Sequence, residues 1–456
     1  MKSYLLFISG MMMISIIQAQ DQVLESYIRE GIESNLALKQ KTLDWQFSIY
    51  ELREARGLFY PEISLNARYT VADGGRMIEF PVGDLLNDVY STLNSLIMSD
   101  VFPQVENQEF AFLRPTEHET KIRLVQPVLN TDIYYNRKIR INRSDALYAN
   151  AQVYKRELVK EIKTAYYEYL KLLEINRLLG NTRNILEENV RVHESLYRND
   201  KITKDVLLRS RTELMSLDDK IAGVEKGLQT SKAYFNFLLN RGMDEEISPS
   251  VPGDIIFPVS LDMTLNESLG KREELAEVDS YIKMAENNIR LTDSGKYPEM
   301  FTVIDYGFQG EKYSFTKEDD YVLASMILQW DIFSGFQNRN KLSKARVDLD
   351  KIKNRRAEVE KMISLEITGA WYELAEIRQR LESEKSKVEL EREVFRLVSR
   401  KNEQGMASQL EYLNARNSMT ASEQEYIVTK YELLIAYAVF EKSIAGFKFN
   451  LDYENN

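Results

Sequence analysis

Cysteine is missing altogether from the 456 residues, which excludes a disulfide framework, a thiolate metal site and a lipid-modified N-terminal cysteine. Histidine occurs only as His118 and His193, far apart and without an Asp or His constellation beside either. Neither reads as a metal or catalytic centre. A phosphate-cradling glycine loop, a Gly-x-Ser-x-Gly elbow and a paired-carboxylate motif are also lacking, so the sequence offers no enzyme site and calls for no cofactor. Positive charge is in deficit: 60 Lys and Arg stand against 71 Asp and Glu, a net charge of −11. A nucleic-acid partner is disfavoured, because a phosphate-binding face needs a basic excess.

Long apolar runs are confined to one place. Lys2, the stretch from Tyr4 to Ile17, and Ala19 before the polar Gln20, Asp21 and Gln22 read as a secretory signal over residues 1–19. Past it, no run reaches the roughly 18 apolar residues that a membrane-crossing helix needs.

Proline is scarce and unevenly placed. All nine fall between Pro61 and Pro127 or between Pro249 and Pro298, leaving residues 128–248 and 299–456 free of the strongest helix breaker. In the first tract Leu158, Ile162, Ala165, Tyr169, Leu172 and Leu179 recur at three- and four-residue steps. In the second Ile352, Val359, Ile363, Ile367, Ala370, Leu374, Ile377, Leu381 and Val388 do so. Each is an amphipathic helix with a sustained stripe, of the kind found in coiled-coil-like bundles. A helix from Ile133 to Asn199 would extend ~100 Å at about 1.5 Å per residue, wider than an ordinary globular core. Asn199, Asp200 and Lys201 interrupt one tract; Glu403, Gln404 and Gly405 interrupt the other. Thr203 or Ser408 can then cap a returning helix. Both tracts read as long hairpins, near residues 133–240 and 335–446.

Between the helices the period changes to two. Ile63, Leu65, Ala67, Tyr69 and Val71 alternate with polar residues, a strand pattern. Strands are expected near residues 61–72, 120–130, 299–309 and 321–330. Four strands do not close a barrel, and an open edge in hydrocarbon strands backbone groups, so lipid contact requires several chains to share one barrel.

The chain also repeats itself. Tyr60-Pro61-Glu62 returns as Tyr297-Pro298-Glu299, and Lys163 to Glu168 parallels Ile367 to Glu373 about 205 residues on. The expected layout is a first repeat over residues 20–240, a linker over 241–261, a second repeat over 262–449 and a tail over 450–456. Each repeat reads helix, helix, strand, loop, strand, long helix, tip, returning helix.

That order, the Tyr-Pro-Glu turns, the strand-ending Gln126-Pro127-Val128-Leu129 and Trp330-Asp331-Ile332-Phe333-Ser334-Gly335 segments and the Gly405-Met406-Ala407-Ser408 tip resemble the TolC outer-membrane efflux family. The resemblance implies a mainly α fold with a β-barrel portion. It implies a homotrimer in which four strands per chain form a 12-stranded barrel in outer-membrane lipid, continued by a periplasmic α-helical tunnel. It implies a passive conduit of an efflux or type I-like export system, opened by a periplasmic adaptor that is joined to an inner-membrane pump. By position, Asn199, Asp200, Lys201, Ile202, Thr203 and Lys204, with Gln404, Gly405, Met406, Ala407 and Ser408, would form the inner mouth and touch the adaptor. Lys201 stands where the resemblance leads one to expect glycine. Glu411 and Asn414 align with acidic pore-lining positions; three copies of Glu411 would repel one another and favour cations. Arg209 and Arg211 lie at similar depth as possible clasps for it. Trp330, Phe333 and Phe336 suit a membrane-interface girdle, and Tyr166, Tyr167, Tyr169, Trp371 and Tyr372 suit helix packing. A pore-free coiled-coil scaffold would also explain the helices and the signal, but not the duplicated strand pairs.

Overall fold

The computed structural model describes residues 22–250, 255, 257 and 260–447; the expected signal, the tail and much of the linker lie outside them. Helix α1 (residues 22–34) precedes α2 (Leu36–Gly57), β1 (Glu62–Val71), β2 (Met77–Phe80), α3 (Val82–Ile97), β3 (Gln108–Ala111) and β4 (Thr116–Leu129). Helices α4 (Thr131–Arg198) and α5 (Lys204–Leu238) complete the first hairpin. Then come α6 (Leu261–Leu269), α7 (Glu273–Ser294), β5 (Glu299–Gly310), β6 (Asp320–Gln329), α8 (Gln337–Glu403) and α9 (Gln409–Ser443).

The duplication is visible in the lengths: α4 and α8 have 68 and 67 residues, and α5 and α9 have 35 each. The strands β2 and β3 belong to the insertion after β1 and were not foreseen. Nor was the outer end of β4, which starts at Thr116 rather than near residue 120. Glu117, His118 and Glu119 hide the apolar alternation there.

Two compact units cut across the repeats. Of the described residues, the first gathers 22–50, Ile141–Ala285 and 348–447. Its core is the foreseen stripe: Leu158, Ile162, Ala165, Tyr166 and Tyr169 of α4 pack on Leu24, Tyr27 and Ile28 of α1 and Phe235 and Leu238 of α5. Tyr166 donates to Ser248 O at 2.9 Å and accepts from Ser250 N at 2.8 Å; burial pushes its phenol up to about 12. On the second hairpin Ala370, Leu374 and Ile377 meet Leu433, Ala436 and Phe440, with Trp371 edge-on to Phe440. Tyr372 stays exposed, as do Met362, Leu365, Leu390, Val394 and Leu397 of α8 and Leu43, Phe47 and Tyr50 of α2. Buried Arg272 joins α7, α8 and α9 within the second repeat, bonding Glu274, Glu366 and Ser443 O. Arg156 of α4 ties the two repeats, bonding Glu273 and Phe447 O.

The second unit comprises Glu51–Arg140 and Glu286–Val347. Its main sheet is antiparallel, in the order β1-β4-β5-β6, so β1 and β6 each keep a free edge.

Candidate functional site: a two-faced sheet and two hairpin tips

Register gives the two faces of the sheet different chemistry, with Leu323 and Ile327 as exposed apolar side chains on the face that also carries Asp305. Opposed pairs Ile63–Leu124, Leu65–Ile122, Ile304–Ala324, Tyr306–Val322 and Thr302–Met326 put apolar groups on one face. Ile63, Leu65, Ile122, Val322 and Met326 are exposed there. Aromatic rings collect at the end marked by Tyr69, Tyr313 and Phe315. His118 lies among them, 4.8 Å from Tyr313 between ring centres. Trp330, Phe333 and Phe336 stand after β6, the last two edge to face at 5.5 Å.

The other face carries a charge ladder. Arg123 forks onto Asp305 at 2.8 and 2.7 Å, and Lys121 lies 3.6 Å from Asp305 and 2.7 Å from Glu119. Arg68 approaches Glu119 at 3.8 Å, and the Tyr321 hydroxyl donates to Glu119 at 2.8 Å. Gly307 faces Lys121 across the ladder, where a Cβ would fall 2.5 Å from Lys121 Cβ; only glycine leaves that lane clear. Alternation of lipid-compatible and water-compatible faces is the signature of a membrane barrel strand.

The tips share one backbone solution. At the first, Asp200 takes a left-handed φ of 52°, with Lys201 N bonded to Leu196 O at 2.9 Å and Asp200 N to Tyr197 O at 3.0 Å. At the second, Gly405 has φ 72°, Met406 N reaches Lys401 O at 2.8 Å and Gly405 N reaches Asn402 O at 2.9 Å. Both are Schellman closures. The position that wants glycine is thus Asp200, one residue before the Lys201 expected from the sequence. Asp adopts this conformation at modest cost because its short side chain bonds locally.

The returning helices start differently. Ser408 and Glu411 form a full capping box: Glu411 N donates to Ser408 Oγ, and Ser408 N donates to Glu411 Oε2 at 2.7 Å. This bond from the Ser408 backbone, and then the Ser408 hydroxyl, hold the Glu411 carboxyl below its usual range. The single chain therefore lowers the proton affinity of Glu411. Thr203 makes no such cap; its hydroxyl bonds Asp205 and lowers that carboxyl.

The expected clasp pairs otherwise. Arg211 bonds Glu194 on α4 at 2.7 Å, while Glu411 is engaged by Ser408. Arg209 and Asn414 are exposed. Met406 and Leu410 add exposed apolar surface at the second tip. The structure adds Arg416, which is buried and donates to Thr182 O of α4 at 2.9 Å; burial pulls its guanidinium below the usual range. Beside it Asn417 donates to Glu213 of α5 at 2.8 Å. An arginine amid the charged residues of α9 reads as surface in sequence; no motif marks it.

The fold is that of solved outer-membrane channels. A membrane protein from Pseudomonas aeruginosa superposes with a TM-score of 0.77 at 16% identity, over 93% of this chain and 92% of that one. VceC from Vibrio cholerae gives 0.74 at 13% identity, over 93% and 97%. The open state of the Neisseria gonorrhoeae MtrE channel gives 0.74 at 14%, over 92% and 88%. Residues 264–446 match the model of the outer membrane efflux protein family. No curated protein sequence matches the chain.

Proposed function

We infer that this chain is the outer-membrane channel of a tripartite efflux or type I-like export system, a passive conduit from periplasm to exterior. The two-faced sheet with two free edges carries this reading. The apolar face meets lipid, the charge ladder lines a water-filled lumen, and the free edges of β1 and β6 pair with other copies. Three chains give twelve strands, an even-numbered closed barrel that leaves no backbone unpaired in hydrocarbon. The exposed apolar residues of α2 and α8 support the same assembly, because stripes of that kind need neighbours. The conduit catalyses no reaction; the driving energy belongs to the inner-membrane pump.

The two tips, Asn199 to Lys204 and Gln404 to Ser408, form the periplasmic mouth and meet the adaptor, with Met406 and Leu410 offering it apolar contact. Glu411 acts there chiefly through Ser408, holding the tip in shape while placing carboxylates near the axis together with Asn414. Arg209 and Arg211 lie at the same end, Arg211 bracing α5 against α4. A pore-free scaffold would leave the apolar sheet face without a role.

Purified protein in mild detergent, weighed and then reconstituted in planar bilayers, tests this. A trimer that conducts is expected. A folded monomer with full helical content, or a trimer without conductance even after Arg416→Ala loosens the mouth, would overturn it.

A further inference from the structure

The insertion between β1 and β4 holds a helix turned inside out. On α3, Asn87 accepts from Val105 N at 2.8 Å and donates to Val105 O at 2.9 Å. Asn94 clamps Phe102 the same way, at 3.0 and 2.7 Å, and Tyr90 packs on Phe102. Asn107 accepts from Asp84 N and donates to Asp84 and Glu79. Buried Gly83 lies so close to the returning chain that a Cβ would fall 2.4 Å from Val105 O. The polar face is therefore bound inward and the helix cannot roll. Its outward face presents Leu85, Val89 and Leu96, exposed by 68%, 52% and 75%. Thr92 completes the line, with its hydroxyl turned back to Asp88 O at 2.8 Å. Steps of four, three and four residues are those of a coiled-coil seam.

We propose that α3 is a self-docking helix, which meets the α3 helices of the other copies of this chain along Leu85, Val89, Thr92 and Leu96 and roofs the outer mouth of the barrel. The proposal rests on the channel reading. Two observations choose a second copy as the occupant. The insertion issues from β1, and in a shared barrel the β1 strands of all copies end at one rim, so each α3 is tethered within reach of its equivalents. Between Asp73 and Arg114 the chain has seven acidic residues against Arg76 and Arg114; this excess disfavours an anionic lipid surface, and between copies it is a repulsion that the uncharged seam and the tether must outweigh. A helix of 16 residues is too short to associate strongly when free, but tethering supplies an effective concentration in the millimolar range.

The chain lacks cysteine, so single replacements report cleanly. Val89→Cys and Leu96→Cys, oxidised in the intact detergent trimer, should give covalent dimers in several-fold greater yield than Ser91→Cys and Ser95→Cys on the same helix. Val89→Asp combined with Leu96→Asp should raise single-channel conductance while trimers persist. Trimers that form but crosslink equally at all four positions or at none, or stripe cysteines that react instead with a bilayer-confined probe, would overturn the docking and leave the channel reading intact. Absence of trimers would strike the channel reading itself.

Discussion

At the first hairpin tip the chain reverses over Asp200 and enters α5 through Thr203; at the second it reverses over Gly405 and enters α9 through Ser408. Hydrogen bonding and handedness coincide, yet the residues do not, and only the second tip owns a capping box. What the duplicated fold preserves is the path of the backbone. Side-chain chemistry at equivalent positions is free to diverge, which makes the two tips separately adjustable.

Gly405→Val should break this likeness most severely. A β-branched residue at φ 72° costs about 2 kcal/mol, so amide exchange across residues 400–412 should accelerate while that across 195–208 does not change. Ser408→Ala comes next, loosening the second tip by about 1 kcal/mol. Thr203→Ala, which removes no cap, should cost under about 0.5 kcal/mol by the same measurement. Equal effects of the two substitutions would contradict the asymmetry.

Acid sharpens the comparison further. Because the folded Glu411 carboxyl is depressed, its contribution is complete above the ordinary carboxylate range and is lost as pH falls through the depressed value. Exchange at the second tip should rise in that acid window, and Glu411→Gln, which keeps the box but does not titrate, should flatten the dependence. The smallest effect belongs to Asp200→Gly. It relieves the left-handed backbone but adds unfolded-chain entropy, so the first tip should shift by no more than about 0.5 kcal/mol in either direction.

Sequence made much of this legible, and the failures have physical reasons. The stripes from Leu158 to Leu179 and Ile363 to Val388 announced the hairpins because burial follows the helical period. Strands β1, β5 and β6 announced themselves by alternation. Alternation fails at Glu117 to Glu119, where polar side chains share the end of β4 with an enclosed histidine. The one-residue offset at the first tip was invisible because it depends on which carbonyl closes the turn, and Asp200 resembles any loop residue. Arg416 escaped because nothing local distinguishes an enclosed guanidinium from a solvated one. The inversion of α3 needed three asparagines to find backbone partners far along the chain.

The free edges of β1 and β6 bear on biogenesis. On the trimeric reading proposed above, a lone copy has no way to enter hydrocarbon without stranding two rows of amides and carbonyls, so insertion would wait until three chains have met. Its rate would then climb steeply with the supply of exported chains, and under slow synthesis the unassembled chain would keep both strand edges open to other partners.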